Sequence, residues 1–145
     1  MILAFDPGRD KTGFALIKDD GELIFSGIFP SSERKKFFEA LLNESVDEFI
    51  IEKISETPNF IGHVKFIAIG NGTSSKEFYQ EAERNLKLEI KIVDERNTTL
   101  EARNLYWKIH KPNFWTRLLP KGLRVPPRVL DDLAAWAIAI KAVRS

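Results

Sequence analysis

The sequence predicts an α/β fold, and three observations carry that expectation. Three apolar runs follow one another at the N-terminal end, separated by tight-turn residues. Two further short apolar runs come later, each followed by a stretch with apolar residues at helical spacing. Finally, 43% of the 145 residues are apolar, enough for one continuous buried core. Ile2 to Asp6 is the first strand, ended by Pro7-Gly8, and Gly13 to Lys18 is the second. Asp19-Asp20-Gly21 supplies a hairpin turn with glycine where positive φ is tolerated, and Glu22 to Phe29 returns as the third strand before Pro30.

Ser31, Ser32 and Glu33 are cap candidates for a helix on which Phe37, Phe38, Leu41 and Leu42 share a face. Val46, Phe49, Ile50 and Ile54 repeat that spacing and predict a second helical piece, with Pro58 beyond its end. Val64 to Ile69 is a fully apolar strand closed by Gly70-Asn71-Gly72. Thr73, Ser74 and Ser75 precede a helix carrying Phe78, Tyr79, Ala82 and Leu86. Leu88 to Val93 is the last strand, and Thr98 or Thr99 opens a helix to about His110. The proline-rich segment Lys111 to Pro127 is irregular, and a final helix runs from Leu130 to Val143. No repeat or linker divides the chain, so residues 1–145 are expected to form one domain.

Composition removes several function classes. No apolar stretch approaches the ~18 residues that span a bilayer. MILAFDPG enters a strand with no basic leader, which predicts no secretory signal. The chain has no cysteine, so thiol catalysis and thiolate metal sites are excluded, and a reducing cytoplasm is the expected location. Two histidines, His63 and His110, make a histidine-based zinc site a poor expectation.

The net charge of +1 conceals an uneven distribution. From Arg103 to Arg128 there are seven Lys or Arg and no Asp or Glu, with Tyr106, Trp107, Phe114 and Trp115 among them. Bases interleaved with aromatics suit phosphate contacts and base stacking, although a solvated basic face over core aromatics has the same composition. Between Ser31 and Phe60 acids outnumber bases seven to four.

Three acidic clusters sit at the ends of separate apolar runs: Asp6, Asp94 with Glu95, and Asp131 with Asp132. Carboxylates at strand ends lie on the rim of a sheet, where distant parts of a chain can meet. Three of them within ~5 Å would repel by roughly 3 kcal/mol per pair at an effective dielectric near 20. A cation must offset that, and all-oxygen ligands favour Mg²⁺ or Mn²⁺. Simpler roles exist for each. Asp6 before Pro-Gly can shape an Asx turn, Asp131 and Asp132 can face a helix dipole, and Arg96 can pair with its neighbours. Thr98 and Thr99 read as caps, and His63 as a loop residue without chemistry.

DPGRDKTGFAL, IAIGNGTSS, IVDERNTTLEA and DDLAAWAIA, in that order, resemble the YqgF family of RuvC-like nucleases in the ribonuclease H-like superfamily. Members are described as Holliday-junction resolvases or as nucleases maturing ribosomal RNA precursors. The resemblance spans Ile2 to about Ala142. It implies a mixed five-stranded sheet in the order 3-2-1-4-5, with strand 2 antiparallel and helices on both faces. It also implies a catalytic set of Asp6, Glu95 and Asp131, with Asp94 and Asp132 in neighbouring ligand positions. The chain departs from RuvC resolvases in two places: the fourth strand ends in AIGNG without an acid, and Arg128 stands where RuvC has an aspartate.

The expected function is therefore a Mg²⁺- or Mn²⁺-dependent endonuclease acting on structured nucleic acid, branched DNA or ribosomal RNA precursor. Asp6 would bridge two ions, with Glu95 on one and Asp131 on the other, and products would carry a 5′-phosphate. Alternation along the strand leaves open which of Asp94 and Glu95 points inward; the resemblance and its longer arm favour Glu95. Nucleic-acid contacts are expected from Arg96, Arg103, Lys108 and Lys111, and from Arg117, Lys121, Arg124 and Arg128, with Trp107 or Trp115 stacking on bases. No membrane partner is expected, and a homodimer would go with symmetrical cutting of two strands. Two rivals stand beside this. One is a non-catalytic nucleic-acid-binding module of the same fold. The other rests on Asp6, Gly8 and Gly13, which also resemble the first phosphate loop of actin-like and sugar-kinase ATP-binding domains, although no second phosphate loop is present.

Overall fold

The computed structural model describes residues 1–72, 74–120 and 123–144. The first three runs form an antiparallel meander of β1 (Ile2–Pro7), β2 (Lys11–Ile17) and β3 (Leu23–Pro30). Ile2 pairs with Ile17 and Pro7 with Thr12, and the β2–β3 pairing continues from Lys11 opposite Pro30. Gly21 takes φ of +96° in the β2–β3 turn, which only glycine adopts freely. A single 3₁₀ turn, Ser31–Glu33, leads into α1 (Arg34–Leu42).

The next element differs from expectation. Val46 and Phe49 are buried through a 3₁₀ turn, and the chain then extends as β4 (Ile50–Lys53) rather than continuing as a helix. β4 runs antiparallel to β3, with Phe25 opposite Lys53, Ser26 opposite Glu52 and Gly27 opposite Ile50. The apolar spacing suits a helix, but Ile50 and Ile51 are β-branched, and β3 offers an edge of unpaired backbone groups that β4 covers.

β5 (Phe66–Gly70) then pairs parallel with β1, and after α2 (Ser75–Leu86), β6 (Ile90–Val93) pairs parallel with β5. α3 (Thr98–Ile109), the four-residue α4 (Phe114–Arg117) and α5 (Asp131–Arg144) complete the chain. The sheet has six strands in the order β4-β3-β2-β1-β5-β6. This corrects the expected five strands in the order 3-2-1-4-5, because the additional strand occupies the β3 edge. Thr73, expected as a helix cap, lies outside the described residues. Among the described residues, no helix is long and apolar enough to cross a membrane.

The sheet is covered on both sides. Leu3, Phe5, Phe14 and Leu16 face α1 and α2, where phenylalanines form the core and the rings of Phe29 and Phe37 stack at 4.1 Å. The intervening residues Ile2, Ala4, Ala15, Ile17 and Ala68 face α3 and α5. The small side chains of Ala4, Ala15 and Ala68 share this layer with the alanines of α5 (Ala135, Ala139 and Ala142 among them), so this helix lies close on the sheet. The approach is tightest at Gly13 on β2, where a Cβ would stand 1.9 Å from the backbone oxygen of Asp131. A Gly13→Ala substitution should therefore destabilise the fold by ~1–3 kcal/mol through overpacking, read as a lower denaturation midpoint. An unchanged or raised midpoint would contradict this packing.

Candidate active site

Strand alternation sends Asp6 to the α5 side of the sheet, since Leu3 and Phe5 face the other way. Across β2, Asp6 is registered with Gly13. On the other flank, Phe5 pairs with Ile69, and the next residue of β5 is Gly70. Asp6 thus stands between two glycines. On the Gly13 side the first turn of α5 descends onto the sheet and brings Asp131 near. On the Gly70 side there is room for Glu95: a Cβ on Gly70 would lie 2.7 Å from its Oε2, and one on Gly72 would lie 2.6 Å from its Oε1.

The backbone around Glu95 is fixed just beyond the end of β6. The Glu95 N–H donates to Asn71 Oδ1 at 3.1 Å, and the Thr98 hydroxyl donates to the Glu95 carbonyl at 2.7 Å. Asn97 takes φ of +67° at the entry to α3. Thr98 acts as a local tether here and not as the expected cap: Asn97 holds the cap position of α3, and its side chain makes no capping hydrogen bond.

Asp6, Glu95 and Asp131 line a single cleft of about 330 Å³, whose walls come from α3 (Thr98, Thr99, Ala102, Arg103) and from the segment before α5 (Val125, Pro126, Arg128, Leu130). Burial pushes the Asp6 carboxyl up to about 7, helped by the charge of Glu95, by direct hydrogen-bonding range to that carboxyl, and by Asp131. Burial also raises Asp131; Lys11 opposes the shift and Asp132 adds to it. Glu95 Oε2 is buried and receives no hydrogen bond. Asp6 and Glu95 lie within reach, yet neither brings a donor when ionised. A shared proton or a cation is what can hold such a pair together.

The residues suit a hard divalent cation. All donors are oxygens, one buried oxygen is orphaned, and glycines form a cradle that any side chain would fill. Among the described residues, no three His, Cys, Asp or Glu are gathered as a ready-made metal group. The donor set is a close Asp6–Glu95 pair with Asp131 elsewhere on the cleft wall.

The other candidate residues divide clearly. Asp94 is exposed and accepts from the Arg96 backbone N–H and guanidinium at 3.0 and 2.7 Å, so these two satisfy each other outside the cleft. Asp132, expected as a ligand beside Asp131, is 0% exposed and does not line the cleft. It accepts from Ser26 Oγ at 2.7 Å and from two Arg128 nitrogens at 2.7 and 3.2 Å. Neighbouring helix positions point about 100° apart, which sends Asp131 to the cleft and its neighbour into the core. Arg128 also donates to Glu52 of β4 at 2.8 Å, and His110 reaches the same oxygen at 2.6 Å. Burial opposes the charge of Glu52, but these two partners hold its carboxyl below the ordinary value. Arg128, expected as a phosphate contact, is thus engaged in a partly buried ion network while still lining the cleft.

Arg103 lines the cleft and makes no ion pair among the described residues. Among the described residues, Lys108, Lys111, Arg117 and Arg124 also have no carboxylate partner, although Arg117 and Arg124 donate to backbone carbonyls. Lys121 lies outside the described residues. Trp107 is half-buried, and its indole N–H donates to the Arg124 carbonyl at 3.1 Å, while Trp115 is exposed. Lys11, Ser26 and Glu52 were not among the sequence candidates. Lys11 lies within the DPGRDKTG run and Glu52 within the acid-rich stretch from Ser31 to Phe60, while no motif marks Ser26. The chain matches no protein-family model and no curated protein.

Two outcomes follow from these electrostatics. The folded Asp6 pKa of about 7 exceeds its ordinary value of 3.8, so its contribution to metal-free stability is lost as pH rises between those values. In EDTA, the melting temperature of wild type relative to Asp6→Asn should fall from pH 4 to pH 7, and a divalent cation should restore it above pH 7. A constant difference across that range would contradict the burial of a strained carboxylate. Arg128→Ala leaves the Asp132 charge in the core with only Ser26, and should cost about 3–5 kcal/mol in denaturant unfolding. A loss below ~1 kcal/mol would mean that the network is slack.

Proposed function

We propose that this chain is a ribonuclease H-like, YqgF-type phosphodiesterase that cuts within nucleic acid chains using Mg²⁺ or Mn²⁺. The observation that carries this reading is the Asp6–Glu95 pair over its glycine cradle, with the Glu95 Oε2 left without a donor. Asp6 and Glu95 would hold the cation, with Asp131 facing the same cleft. Bound there, a divalent ion neutralises the carboxylates, acidifies water near neutral pH and stabilises charge developing on a phosphate. Arg103, on the wall and without an anionic partner, would bind the phosphate of the strand. Arg128 shapes the wall and, through Asp132, anchors the first turn of α5 beneath Asp131. The antiparallel β2, the parallel β1, β5 and β6 and the two helical layers are compatible with a ribonuclease H-like sheet carrying an extra edge strand. A cytoplasmic location belongs to the same reading.

The lack of a gathered three-carboxylate group among the described residues favours one rival, a nucleic-acid-binding module without catalysis. Such a binder with about four phosphate contacts would show a log K versus log salt slope near −3.6 and no cleavage with any divalent metal. Labelled four-way junction, single-stranded RNA and duplex DNA incubated with Mn²⁺ separate the two. Wild type should cut at least one substrate and leave 5′-phosphate ends. Asp6→Asn should retain binding and lose on the order of a thousandfold in rate or more. Cleavage by Asp6→Asn at the wild-type rate would overturn the assignment.

A further inference from the structure

The segment joining α3 to α5 presents large apolar side chains to solvent. Phe114 and Trp115 in α4 are 67% and 75% exposed, and Leu118 and Leu123 are exposed beside them in sequence. The two rings meet edge to face, with centroids 5.5 Å apart and planes at 79°. Their exposure does not come from a loose backbone. Asn113 Oδ1 accepts from the Thr116 N–H at 2.8 Å, and Arg117 donates to the Pro112 carbonyl at 3.1 Å. Arg124 donates to the carbonyls of Leu119 and Arg117 at 3.1 and 2.9 Å, and Trp107 ties the segment to α3. Arg117 and Arg124 thus help to hold the backbone of this segment, while the rings of Phe114 and Trp115 are exposed.

Along the chain, the charge of this segment has one sign. No Asp or Glu occurs between Glu101 and Asp131. Among the described residues, Arg103, Lys108, Lys111, Arg117 and Arg124 have no carboxylate partner, and the backbone carbonyls held by Arg117 and Arg124 leave their positive charge unneutralised. The segment also runs directly into the carboxylate cleft, because Val125, Pro126 and Arg128 form part of its wall. A second copy of the chain is a poor occupant. In a two-fold interface the same patch meets itself, which would press these uncompensated cations together.

We propose that the Phe114–Trp115 pair is a stacking platform for unpaired bases of a nucleic acid strand whose scissile phosphate lies in the Asp6–Glu95–Asp131 cleft. The substrate is then single-stranded or locally unpaired, a conclusion that rests on the phosphodiesterase reading above. In a duplex the base faces are covered by their neighbours and only the backbone is offered to a projecting ring. In an unpaired strand every base offers a π face whatever its identity, so the platform is tolerant of sequence. DNA and RNA share this chemistry.

Binding in EDTA separates stacking from cleavage. The probes are labelled oligo-dT, oligo-rU, an abasic strand and a duplex, each of about 12 nucleotides, followed by fluorescence anisotropy. Wild type should bind the single strands more tightly than the duplex, and more tightly than the abasic strand by about 5- to 150-fold. Trp115→Ala should lose a comparable factor on oligo-dT or oligo-rU and nothing on the abasic strand, and Trp115→Phe should keep most of the affinity. The tighter of oligo-dT and oligo-rU assigns the strand type.

The proposal fails if Trp115→Ala weakens abasic and duplex probes as much as single strands, or has no effect. It also fails if Trp115 instead governs binding to phosphatidylserine-containing vesicles or self-association, with no dependence on bases. Base-dependent binding without Mn²⁺ cleavage of any substrate would remove the nuclease reading and retain the platform. Cleavage that ignores both missing bases and Trp115→Ala would do the reverse.

Discussion

The close approach of main chain and side chains around Asp6 is the constraint on which the rest of the site depends. Its two neighbours across the sheet are glycines, and each vacant Cβ position is used by a different element. One admits the first turn of α5, the other the Glu95 carboxylate. Larger residues at either position would lift α5 or displace Glu95, and the three acids would no longer share a cleft. The alanines on both α5 and the sheet serve the same geometry further along the helix.

This arrangement carries an electrostatic conflict within an otherwise well-satisfied fold. Asp6 is pushed toward its neutral form by burial and by a second acid, and Glu95 keeps a buried oxygen without a donor. A few residues away, Asp132 is more deeply buried but fully partnered by Ser26 and Arg128. The contrast separates two uses of a carboxylate. A structural acid is surrounded by donors, whereas among the described residues the buried Glu95 Oε2 of the cleft has none.

Much of this was legible in the sequence. Apolar runs ended by Pro7-Gly8, Asp19-Asp20-Gly21 and Gly70-Asn71-Gly72 located strands, and helical spacing located α1, α2, α3 and α5. Acids at the ends of those runs located the cleft. Other features could not be read along the chain, because they depend on partners distant in sequence. Val46, Phe49, Ile50 and Ile54 fit a helical period, but the open edge of β3 decided their conformation. The sequence placed Gly13 at a strand start and in a phosphate-loop-like pattern, but its packing role could not be read there because its crowding comes from Asp131. Arg128 looked free because Glu52, its second partner, lies on that same unforeseen strand. The choice between Asp131 and Asp132 required knowing which face of α5 meets the sheet.

The outermost strand has a role beyond covering an edge. Glu52 reaches from β4 to Arg128, and Arg128 grips the first turn of the helix that bears Asp131. The margin of the sheet is thereby mechanically linked to the floor of the cleft. Anything that peels β4 away, or adds another strand along it, would loosen or tighten the footing of that carboxylate without ever touching the cleft.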